Sequence, residues 1–491
     1  MRARLAAPRM SLFAPSDPRP VHFMGAAGAG MSALAELLAR RGVRVTGCDA
    51  NPGMVSDLES AGISVASGHD PAHVEGARAV VVTSAVPRDH PELERARALG
   101  VPVIRRAEAL AEAVSVGQVV AIAGTHGKTT TTVMTTEALT AADLEPTGIV
   151  GGRVAAWHGN LSAGADRLFV VEADEYDRSF LALTPTVAVV TSIEADHLDI
   201  YRDLSDIRET FARFAHDAHA IVLCADDPGA DTLPTPPTAE VIRYGIASRD
   251  ARLVAREVST EPGGGSSYSP LYDGKALPRV VLAVPGRHNV LNSLAALASG
   301  LALGAPAEAL ASGLGNFRGV ERRFQRLGEA RGVLVIDDYA HHPTEIRATL
   351  AAARAALPGR RLVVAFQPHL FSRTRDFAGE FGAALTNADE IFLTEIYPAR
   401  EKPIEGVSSG LIEEAIAGAA RPAKGGDATR GSAASAAAVP AAGRLAWRGE
   451  RRELAAALAG AVRSGDVVIT LGAGDITRTG PELLAHLTAA A

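Results

Sequence analysis

The fold of this chain is decided by one stretch, Val119-Val120-Ala121-Ile122-Ala123-Gly124-Thr125-His126-Gly127-Lys128-Thr129-Thr130. Its apolar run predicts a buried β-strand, which breaks into a glycine-rich turn and then a helix. Such a turn presents backbone N–H groups to phosphates, and its lysine reaches the terminal phosphates. The hydroxyl of Thr129 follows the lysine and is placed to bind Mg²⁺. The stretch therefore predicts a loop that binds the phosphates of a nucleotide.

Two acidic loops accompany this phosphate loop. Leu168–Val171 runs into Glu172-Ala173-Asp174-Glu175, and Val187–Ser192 runs into Glu194-Ala195-Asp196-His197. They supply the hard oxygen ligands that Mg²⁺ prefers, together with one imidazole. The phosphate loop is shorter than the common Walker A pattern, which needs a glycine where Ile122 stands. The alternative is a chance glycine-rich turn before an ordinary helix, and it leaves both acidic loops without a role.

The bulk properties narrow the class of protein. At 491 residues the chain is long enough for about three domains. Its formal net charge of -7 argues against non-specific binding to nucleic acid, and no apolar stretch is long enough to span a bilayer. Only Cys48 and Cys224 occur, which excludes a disulfide framework and favours a reducing, cytoplasmic location. Residues 1–18 lack the apolar segment of a signal peptide and predict a flexible tail. We expect no nucleic-acid binding and no membrane insertion.

The N-terminal part alternates short apolar runs with helical stretches, which is typical of a parallel α/β sheet. The runs are Val21–Met24, Val43–Cys48, Ala79–Ser84 and Val101–Ile104. The first turn reads Gly25-Ala26-Ala27-Gly28-Ala29-Gly30-Met31, and Asp49 follows the second run. A dinucleotide-binding turn would have a glycine at Ala27, so two interpretations stay open. Either a diphosphate binds at the helix start while Asp49 contacts a ribose or base, or the small residues serve close helix–strand packing.

The composition changes after the central loops. Glycine-rich β segments between Thr238 and Pro285 predict a small side sheet, with a mobile loop at Pro262–Pro270. Polar residues in the stretch Gly286-Arg287-His288-Asn289-Val290-Leu291-Asn292 open the next helix, where they either contact a base edge or cap the helix.

The C-terminal part contains another strand series. Its strands are predicted at Val333–Ile336, Leu362–Phe366, Glu390–Thr394 and Val467–Leu471. Each strand ends in a polar loop, at the edge where open parallel sheets bind ligands. The segment Gly319–Phe324 predicts a domain junction, and the Ala/Gly/Ser/Pro-rich run 421–443 predicts a disordered insertion.

Together these loops resemble the Mur ligase family of peptidoglycan synthesis, from about Val21 onward. The matching segments read Gly-Thr-His-Gly-Lys-Thr-Thr, Glu-Ala-Asp-Glu, Ala-Asp-His-Leu-Asp, Gly-Arg-His-Asn-Val-Leu-Asn and Asp-Asp-Tyr-Ala-His-His-Pro-Thr-Glu. The resemblance implies a three-domain α/β fold. A Rossmann-like domain at 19–115 would bind a UDP-sugar, and a central P-loop ATPase domain with a mostly parallel sheet would span 116–321. A Rossmann-like C-terminal domain at 322–491 would bind an amino acid.

Within that family the chain is most similar to the branch that joins L-alanine to UDP-N-acetylmuramate. This choice depends on Phe366-Gln367-Pro368-His369, on Ser372-Arg373-Thr374-Arg375-Asp376 and on the first turn. Arg208–His216 contains no lysine, whereas several relatives carry a carbamylated lysine there. The alternative is the branch that reattaches a recycled tripeptide. A nicotinamide oxidoreductase would explain only the first domain, and a nucleotide sensor would need no amino-acid pocket.

The resemblance also implies the cofactors and the site. ATP and Mg²⁺ would be required, and the chain would act as a monomer or weak homodimer. ATP would contact Gly124, Thr125, His126, Gly127, Lys128, Thr129, Thr130, His288, Asn292, Arg323 and Asp338, and Mg²⁺ would contact Thr129, Glu172 and His197. The UDP-sugar would contact Gly25, Gly28, Gly30, Met31, Asp49 and Ser84, and L-alanine would contact Tyr339, His341 and Arg373. The expected catalytic residues are Lys128, His197, Arg323, His341 and Arg373. Two positions depart from the family pattern, Ala27 in the first turn and Leu370, where many relatives have arginine.

Overall fold

The computed structural model describes residues 16–51, 55–198, 200–248, 250–399, 401–419 and 443–489. Most of the predicted tail (1–15) and nearly all of the predicted insertion (421–442) lie outside the described residues. Within them, helices alternate with the strands of three sheets, which confirms the α/β class. Two compact units make up the chain: Met1–Val258 with Ser267–Leu282 and Val290–Val320, and Ser259–Ser266 with Ala283–Asn289 and Glu321–Ala491. No helix in the described ranges is long and apolar enough to cross a membrane.

The first sheet has five parallel strands in the order β3-β2-β1-β4-β5. Its elements are β1 (Val21–Met24), α1 (Ala29–Arg40), β2 (Val45–Asp49), α2 (Val55–Ser60), β3 (Ser64–Ser67), β4 (Ala79–Val82), α3 (Pro91–Ala98), β5 (Val103–Arg105) and α4 (Arg106–Val114). Strands β1 and β4 are buried throughout, as expected for parallel strands that are covered on both faces. The strand order reverses between β1 and β4, and ligands bind at such a point in open parallel sheets.

The central sheet has eleven strands and surrounds the phosphate loop. Its elements are β6 (Gln118–Ala123), α5 (Lys128–Ala141), β7 (Thr147–Val154), β8 (Gly159–Ser162), β9 (Leu168–Glu172), β10 (Val187–Val190), α6 (Leu204–Ala215), β11 (Ala220–Cys224), α7 (Pro228–Asp231), β12 (Glu240–Gly245), β13 (Leu253–Thr260), β14 (Ser266–Tyr272), β15 (Lys275–Ala276), β16 (Val280–Leu282), α8 (Arg287–Ala302) and α9 (Ala307–Asn316). Strand β6 lies between β10 and β9 and is parallel to both. The phosphate loop and the two acidic loops therefore leave neighbouring strands at the same edge.

The prediction of a separate side sheet between Thr238 and Pro285 is wrong. Strand β12 pairs in parallel with β11, and β13 pairs with β12, so these strands extend the central sheet. The unpaired N–H and C=O groups of β11 would otherwise form an open edge, which the added strands satisfy. The predicted mobile loop at Pro262–Pro270 is also partly wrong, because β14 begins at Ser266. Tyr268 in this strand is buried, and its hydroxyl lies 2.8 Å from the Ser293 hydroxyl.

The third sheet has six strands in the order β17-β18-β22-β19-β20-β21, and only the β17–β18 pair is antiparallel. Its elements are β17 (Gln325–Ala330), β18 (Val333–Asp338), α10 (Pro343–Ala356), β19 (Leu362–Phe366), α11 (Phe371–Leu385), β20 (Glu390–Thr394), α12 (Gly410–Ala419), β21 (Arg444–Gly449), α13 (Arg451–Ala461), β22 (Val467–Leu471) and α14 (Thr479–Ala489). Apolar residues of α10, α11 and α12 cover one face, and those of α13 and α14 cover the other. Polar loops at the carboxyl ends of β18 and β19 are thus held on a rigid, doubly covered sheet.

Candidate active site

The phosphate loop connects β6 to α5 through two glycines with left-handed backbone. Gly124 has a φ of 138° and Gly127 a φ of 83°, which side-chain-bearing residues rarely adopt. A Cβ atom on Gly124 would overlap Thr191, and one on Gly127 would overlap the side-chain oxygen of Asn292. Helix α5 begins at Lys128, so its first N–H groups face the loop. The structure therefore brings Asn292 to the phosphate loop, as the prediction of a shared ATP site requires.

Lys128 is held by a buried carboxylate that the sequence assignment did not include. Its Nζ atom donates to the Gly124 carbonyl at 2.7 Å and lies 2.8 Å from Glu175 Oε2. Burial alone would lower the pKa of Lys128, but the carboxylates of Glu175, Asp174 and Glu172 together raise it. The lysine is consequently a permanent cation beneath the loop. Glu175 was visible in the acidic motif, but nothing in the sequence distinguished it from Glu172.

Thr129 and Glu172 form the second contact of the loop. The Thr129 hydroxyl donates to Glu172 Oε1 at 2.9 Å, and the Gly151 amide donates to Glu172 Oε2 at 2.6 Å. The Glu172 carboxylate is therefore fixed between the start of α5 and strand β7. Hydroxyl and carboxylate oxygens are the donors that Mg²⁺ prefers, so these two residues fit that ion.

His197, the third predicted metal ligand, faces the other end of the acidic loop. Its Nε2 atom lies 3.8 Å from Glu175 Oε1, and its ring packs edge-on against Tyr176 with 5.1 Å between centroids. Its backbone is left-handed, with a φ of 53°. The structure therefore places His197 beside the Lys128–Glu175 pair.

The loop that follows β10 fixes the conformation of the phosphate loop. The His126 amide donates to the Ser192 hydroxyl at 3.0 Å, and the Glu194 amide donates to the Thr125 hydroxyl at 2.9 Å. The His126 ring also lies 3.0 Å from Glu194 Oε2. The side chains of Thr125 and His126, both predicted to contact ATP, therefore lie against the loop that follows β10.

The first turn is supported by Asp49. Its carboxylate accepts the Ala27 amide at 2.9 Å and the Asn51 amide at 2.8 Å. Both oxygens therefore brace backbone, which adds a third role to the two interpretations of this residue. Gly25 has a φ of 74°, and Gly28 immediately precedes α1. A Cβ atom on Gly30 would lie 2.8 Å from the Arg106 guanidinium, so the small residues of the turn allow a cation to approach it.

A cavity of about 320 Å³ extends from this turn to the acidic loop after β9, within the first compact unit. Its walls include Gly28, Gly30 and Met31 of the turn, the cation Arg106, and Glu172. A smaller cavity of about 160 Å³ is lined by Ser84, and Arg106 and Asp174 line both cavities. Arg106 lies just after β5, at the ligand-binding edge of the first sheet, and that position was the signal by which sequence reasoning could have found it.

The second compact unit brings together the three residues predicted to bind the amino acid. His341 Nδ1 lies 3.0 Å from the Tyr339 carbonyl, and the two rings pack edge-on at 5.1 Å. The His369 ring lies 6.0 Å from that of His341, and its Nδ1 atom is 3.4 Å from an Arg373 nitrogen. The His341 amide donates to Glu345 at 3.0 Å. His369 of the Gln-Pro-His motif was not among the predicted site residues, yet it lies between His341 and Arg373.

Asp338 and Arg323 lie next to this cluster. Asp338 accepts the Phe324 amide at 2.9 Å and the Ala340 amide at 2.8 Å, and burial raises its pKa to about 6. Its oxygens therefore hold the backbone on either side of Tyr339 and next to Arg323. The Arg323 guanidinium lies 5.0 Å from the centroid of the Tyr339 ring. His288 also belongs to this unit, where burial and then Arg323 lower its pKa to about 4.

Three family profiles together match most of the chain. The profiles "Mur ligase family, catalytic domain", "Mur ligase middle domain" and "Mur ligase, glutamate ligase domain" match residues 20–117, 122–300 and 322–474. The UDP-N-acetylmuramate–L-alanine ligase of Cutibacterium acnes is 43% identical over 97% of this chain and 98% of its own length. That of Arthrobacter sp. is 46% identical over 85% of this chain and 90% of its own.

Two solved structures extend the comparison to the fold. The UDP-N-acetylmuramate–alanine ligase of Thermotoga maritima has a TM-score of 0.79 at 27% identity, covering 96% of this chain and 100% of that one. A murein peptide ligase of Psychrobacter arcticus has a TM-score of 0.68 at 23% identity, covering 96% and 98%. The second likeness is informative for the fold alone. Both agree with the predicted three-domain α/β architecture.

Proposed function

Because this chain belongs to the Mur ligase family, we propose that it joins L-alanine to the carboxylate of UDP-N-acetylmuramate while ATP is converted to ADP and phosphate. The observation that carries this proposal is the cavity of about 320 Å³, which runs from the helix start of the first turn to Glu172 beside the phosphate loop. A diphosphate at the turn and a sugar carboxylate near the ATP phosphates would share this space.

The reaction proceeds in two balanced steps. A carboxylate does not condense with an amine in water because oxide is a poor leaving group. The carboxylate oxygen therefore takes the γ-phosphoryl group of ATP, which forms an acyl phosphate and releases ADP. The α-amine of L-alanine then attacks the acyl carbon, the C–O bond to phosphate breaks, and the amine loses one proton. Catalysis of such a transfer between anions consists mainly of positioning and charge neutralisation.

The residues of the phosphate loop neutralise the charge of the phosphates. Lys128 interacts with the β- and γ-phosphates, and the first N–H groups of α5 donate to them. Thr129 and Glu172 would hold a Mg²⁺ ion, which would reduce the repulsion between the two reacting anions. His197, beside the Lys128–Glu175 pair, would complete a second metal site. Asn292 lies against Gly127 and contacts the adenine or ribose.

The two substrates use separate sets of residues. The helix start at Gly28 and the Arg106 guanidinium bind the diphosphate of the UDP-sugar, and Ser84 lines the adjoining cavity. Tyr339 and His341 form the wall of the amino-acid pocket, and Arg373 pairs with the α-carboxylate through its two-pronged guanidinium. The proposed location is the cytoplasm, with free, buried cysteines at Cys48 and Cys224. No membrane or nucleic-acid partner is part of the proposal.

The experiment that tests the function compares two amines. Full-length protein is given UDP-N-acetylmuramate, Mg²⁺, ATP and either L-alanine or L-Ala-γ-D-Glu-meso-diaminopimelate, and ADP release and product mass are measured. Alanine-dependent ADP release with the mass of the alanyl product is expected. Faster ligation of the tripeptide would reject the alanine assignment and favour the recycling branch. ADP release without any ligated product would reject both.

A second measurement tests the division of roles. Lys128→Ala should abolish ligation and leave the affinity for UDP-N-acetylmuramate unchanged in isothermal titration, because the lysine serves ATP. Lys275→Ala, on the short strand β15, is the matched control and should retain both properties. Loss of UDP-sugar affinity in Lys128→Ala together with retained turnover would contradict the assignment.

A further inference from the structure

A cluster of metal-binding residue types lies in the first sheet, outside the site described above. Its members are His22 of β1, Cys48 of β2, Glu92 of α3, and three histidines in neighbouring segments, His69, His73 and His90. Glu92 and Cys48 are fully buried, whereas the side chains of His69 and His73 are 28% and 23% exposed. Four of the 14 histidines and one of the two cysteines of the chain meet here. The proposed ligase reaction uses none of these side chains.

Four donor atoms lie close to the spacing of a tetrahedral site. Cys48 Sγ lies 3.4 Å from His22 Nε2 and 3.3 Å from Glu92 Oε1. His73 Nδ1 lies 2.9 Å from the same oxygen of Glu92. The ligand atoms of these four residues all lie within 4.8 Å of one another. With Zn–N and Zn–S bonds of about 2.0–2.3 Å, the edges of a tetrahedron are roughly 3.3–3.7 Å long, so small shifts would admit an ion.

The surroundings of the cluster orient these donors. His22 Nδ1 lies 3.0 Å from the Thr46 hydroxyl, which leaves Nε2 directed at the thiol. The outer nitrogen of a metal-binding histidine commonly has such a partner. The Asp70 amide donates to Glu92 Oε1 at 3.1 Å and fixes the carboxylate. Partly exposed His69, 3.3 Å from the thiol, marks a path from solvent to the buried donors.

We propose that His22, Cys48, His73 and Glu92 bind one Zn²⁺ ion. A thiolate and two imidazoles select a borderline-soft transition ion over Mg²⁺, which prefers oxygen ligands. On binding, the Cys48 thiol releases its proton to solvent. One thiolate and one carboxylate then balance the two positive charges, so the buried site carries no net charge, as a buried site requires.

The position of Cys48 connects this site to the first turn. Its carbonyl accepts the Gly25 amide at 2.8 Å and the Ala26 amide at 3.1 Å. The next residue, Asp49, accepts the Ala27 amide. A metal on the Cys48 side chain therefore braces the backbone that holds the turn, and the ion is structural rather than catalytic.

Cobalt spectroscopy on the full-length protein tests the site. Protein stripped with a chelator is titrated with Co²⁺ in excess Mg²⁺, and thiolate-to-cobalt charge-transfer absorption is recorded. We expect one Co²⁺ per chain with this band, and displacement by one equivalent of Zn²⁺. Cys48→Ser should remove the band and weaken Zn²⁺ binding at least 100-fold in competition with a chromogenic chelator. Cys224→Ser, which removes the other buried cysteine, should keep both.

Two further variants keep the test decisive if Cys48→Ser does not fold. Thr46→Val retains all four ligands but removes the partner of His22, and should weaken Zn²⁺ binding by about 10-fold. His216→Ala removes an exposed histidine and should leave binding unchanged. Absence of the charge-transfer band in the wild type would overturn the proposal and leave a hydrogen-bonded histidine–carboxylate cluster. Loss of the band in Cys224→Ser would overturn it as well.

Discussion

Replacing Glu175 by glutamine should lower the stability of the nucleotide-free protein and strengthen its binding of nucleotide. Glu175 and Lys128 form an ion pair at 2.8 Å, and their side chains are only 4% and 14% exposed. Removing one partner of a buried pair costs about 3–5 kcal/mol because the other charge stays buried. Glutamine keeps the shape of the side chain, and Lys128 still donates to the Gly124 carbonyl at 2.7 Å. We therefore expect the free energy of unfolding to fall by about 3 kcal/mol.

Nucleotide should reverse part of this loss. The phosphates of ADP supply Lys128 with the negative charge that the variant lacks, and they no longer compete with the Glu175 carboxylate. If about 1.4 kcal/mol is recovered, ADP·Mg²⁺ will bind about tenfold more tightly to Glu175→Gln than to the wild type.

Urea unfolding with and without ADP·Mg²⁺, together with isothermal titration, measures both quantities. Glu209→Gln, an exposed carboxylate on α6, is the control and should change neither. The reasoning is refuted if Glu175→Gln binds ADP more weakly than the wild type, or if its stability without nucleotide is unchanged.

Three other predictions follow from particular contacts. Gly127→Ala should weaken ATP binding at least 10-fold, because the new Cβ displaces Asn292 and the φ of 83° is unfavourable. Gly159→Ala has open space around the new Cβ and should bind ATP normally, and equal ATP affinities for the two variants in isothermal titration would contradict this. Arg373→Ala, at a buried position, should raise the KM for L-alanine at least 10-fold with little change for ATP, since a charged hydrogen bond contributes about 1.5–3 kcal/mol. Arg375→Ala, at an exposed neighbouring position, should leave the KM for L-alanine unchanged, and a matching rise in this variant would contradict a specific role for Arg373. The pKa of His288 is about 4 in the folded chain and 6.5 when unperturbed, so its contribution to stability is complete above pH 6.5 and is lost as the pH falls to 4. His288→Gln should lose about 3 kcal/mol less than the wild type between these limits, and parallel pH profiles of urea unfolding would argue against it.

In the third sheet, the sequence predicted the strands that contain a mostly apolar, buried run. Leu362–Phe366, Glu390–Thr394 and Val467–Leu471 have the bounds found in the structure. Three of the missed strands lie at sheet edges and are partly exposed: Gln325–Ala330 and Arg444–Gly449 of this sheet, and Ser64–Ser67 of the first sheet. An edge strand needs an apolar pattern on only part of its surface, so its sequence carries little periodic signal.

The site was predictable where a motif is local and less so where partners are distant. Lys128, Thr129 and Glu172 could be identified because each ends or follows an apolar strand. Glu175 and Arg106 gain their roles from three-dimensional neighbours, the buried lysine and the first turn. A single sequence shows which residues are charged but not which of them are desolvated together.

The contacts between helix α1 and the central sheet bear on the order of phosphoryl transfer and amine binding. Ser32 of α1 donates to Asn160 of β8 at 3.1 Å, and Arg41 just beyond α1 pairs with Asp166 at 2.6 Å. The turn proposed to bind the sugar nucleotide and the loop proposed to bind ATP thus belong to one compact unit. In the proposed reaction, the donor and the acceptor of the phosphoryl group would therefore be aligned within one unit before the amine binds. An acyl phosphate formed before the amine binds would be open to hydrolysis. Exclusion of water from that cavity would therefore determine how many ATP molecules are consumed for each amide bond formed.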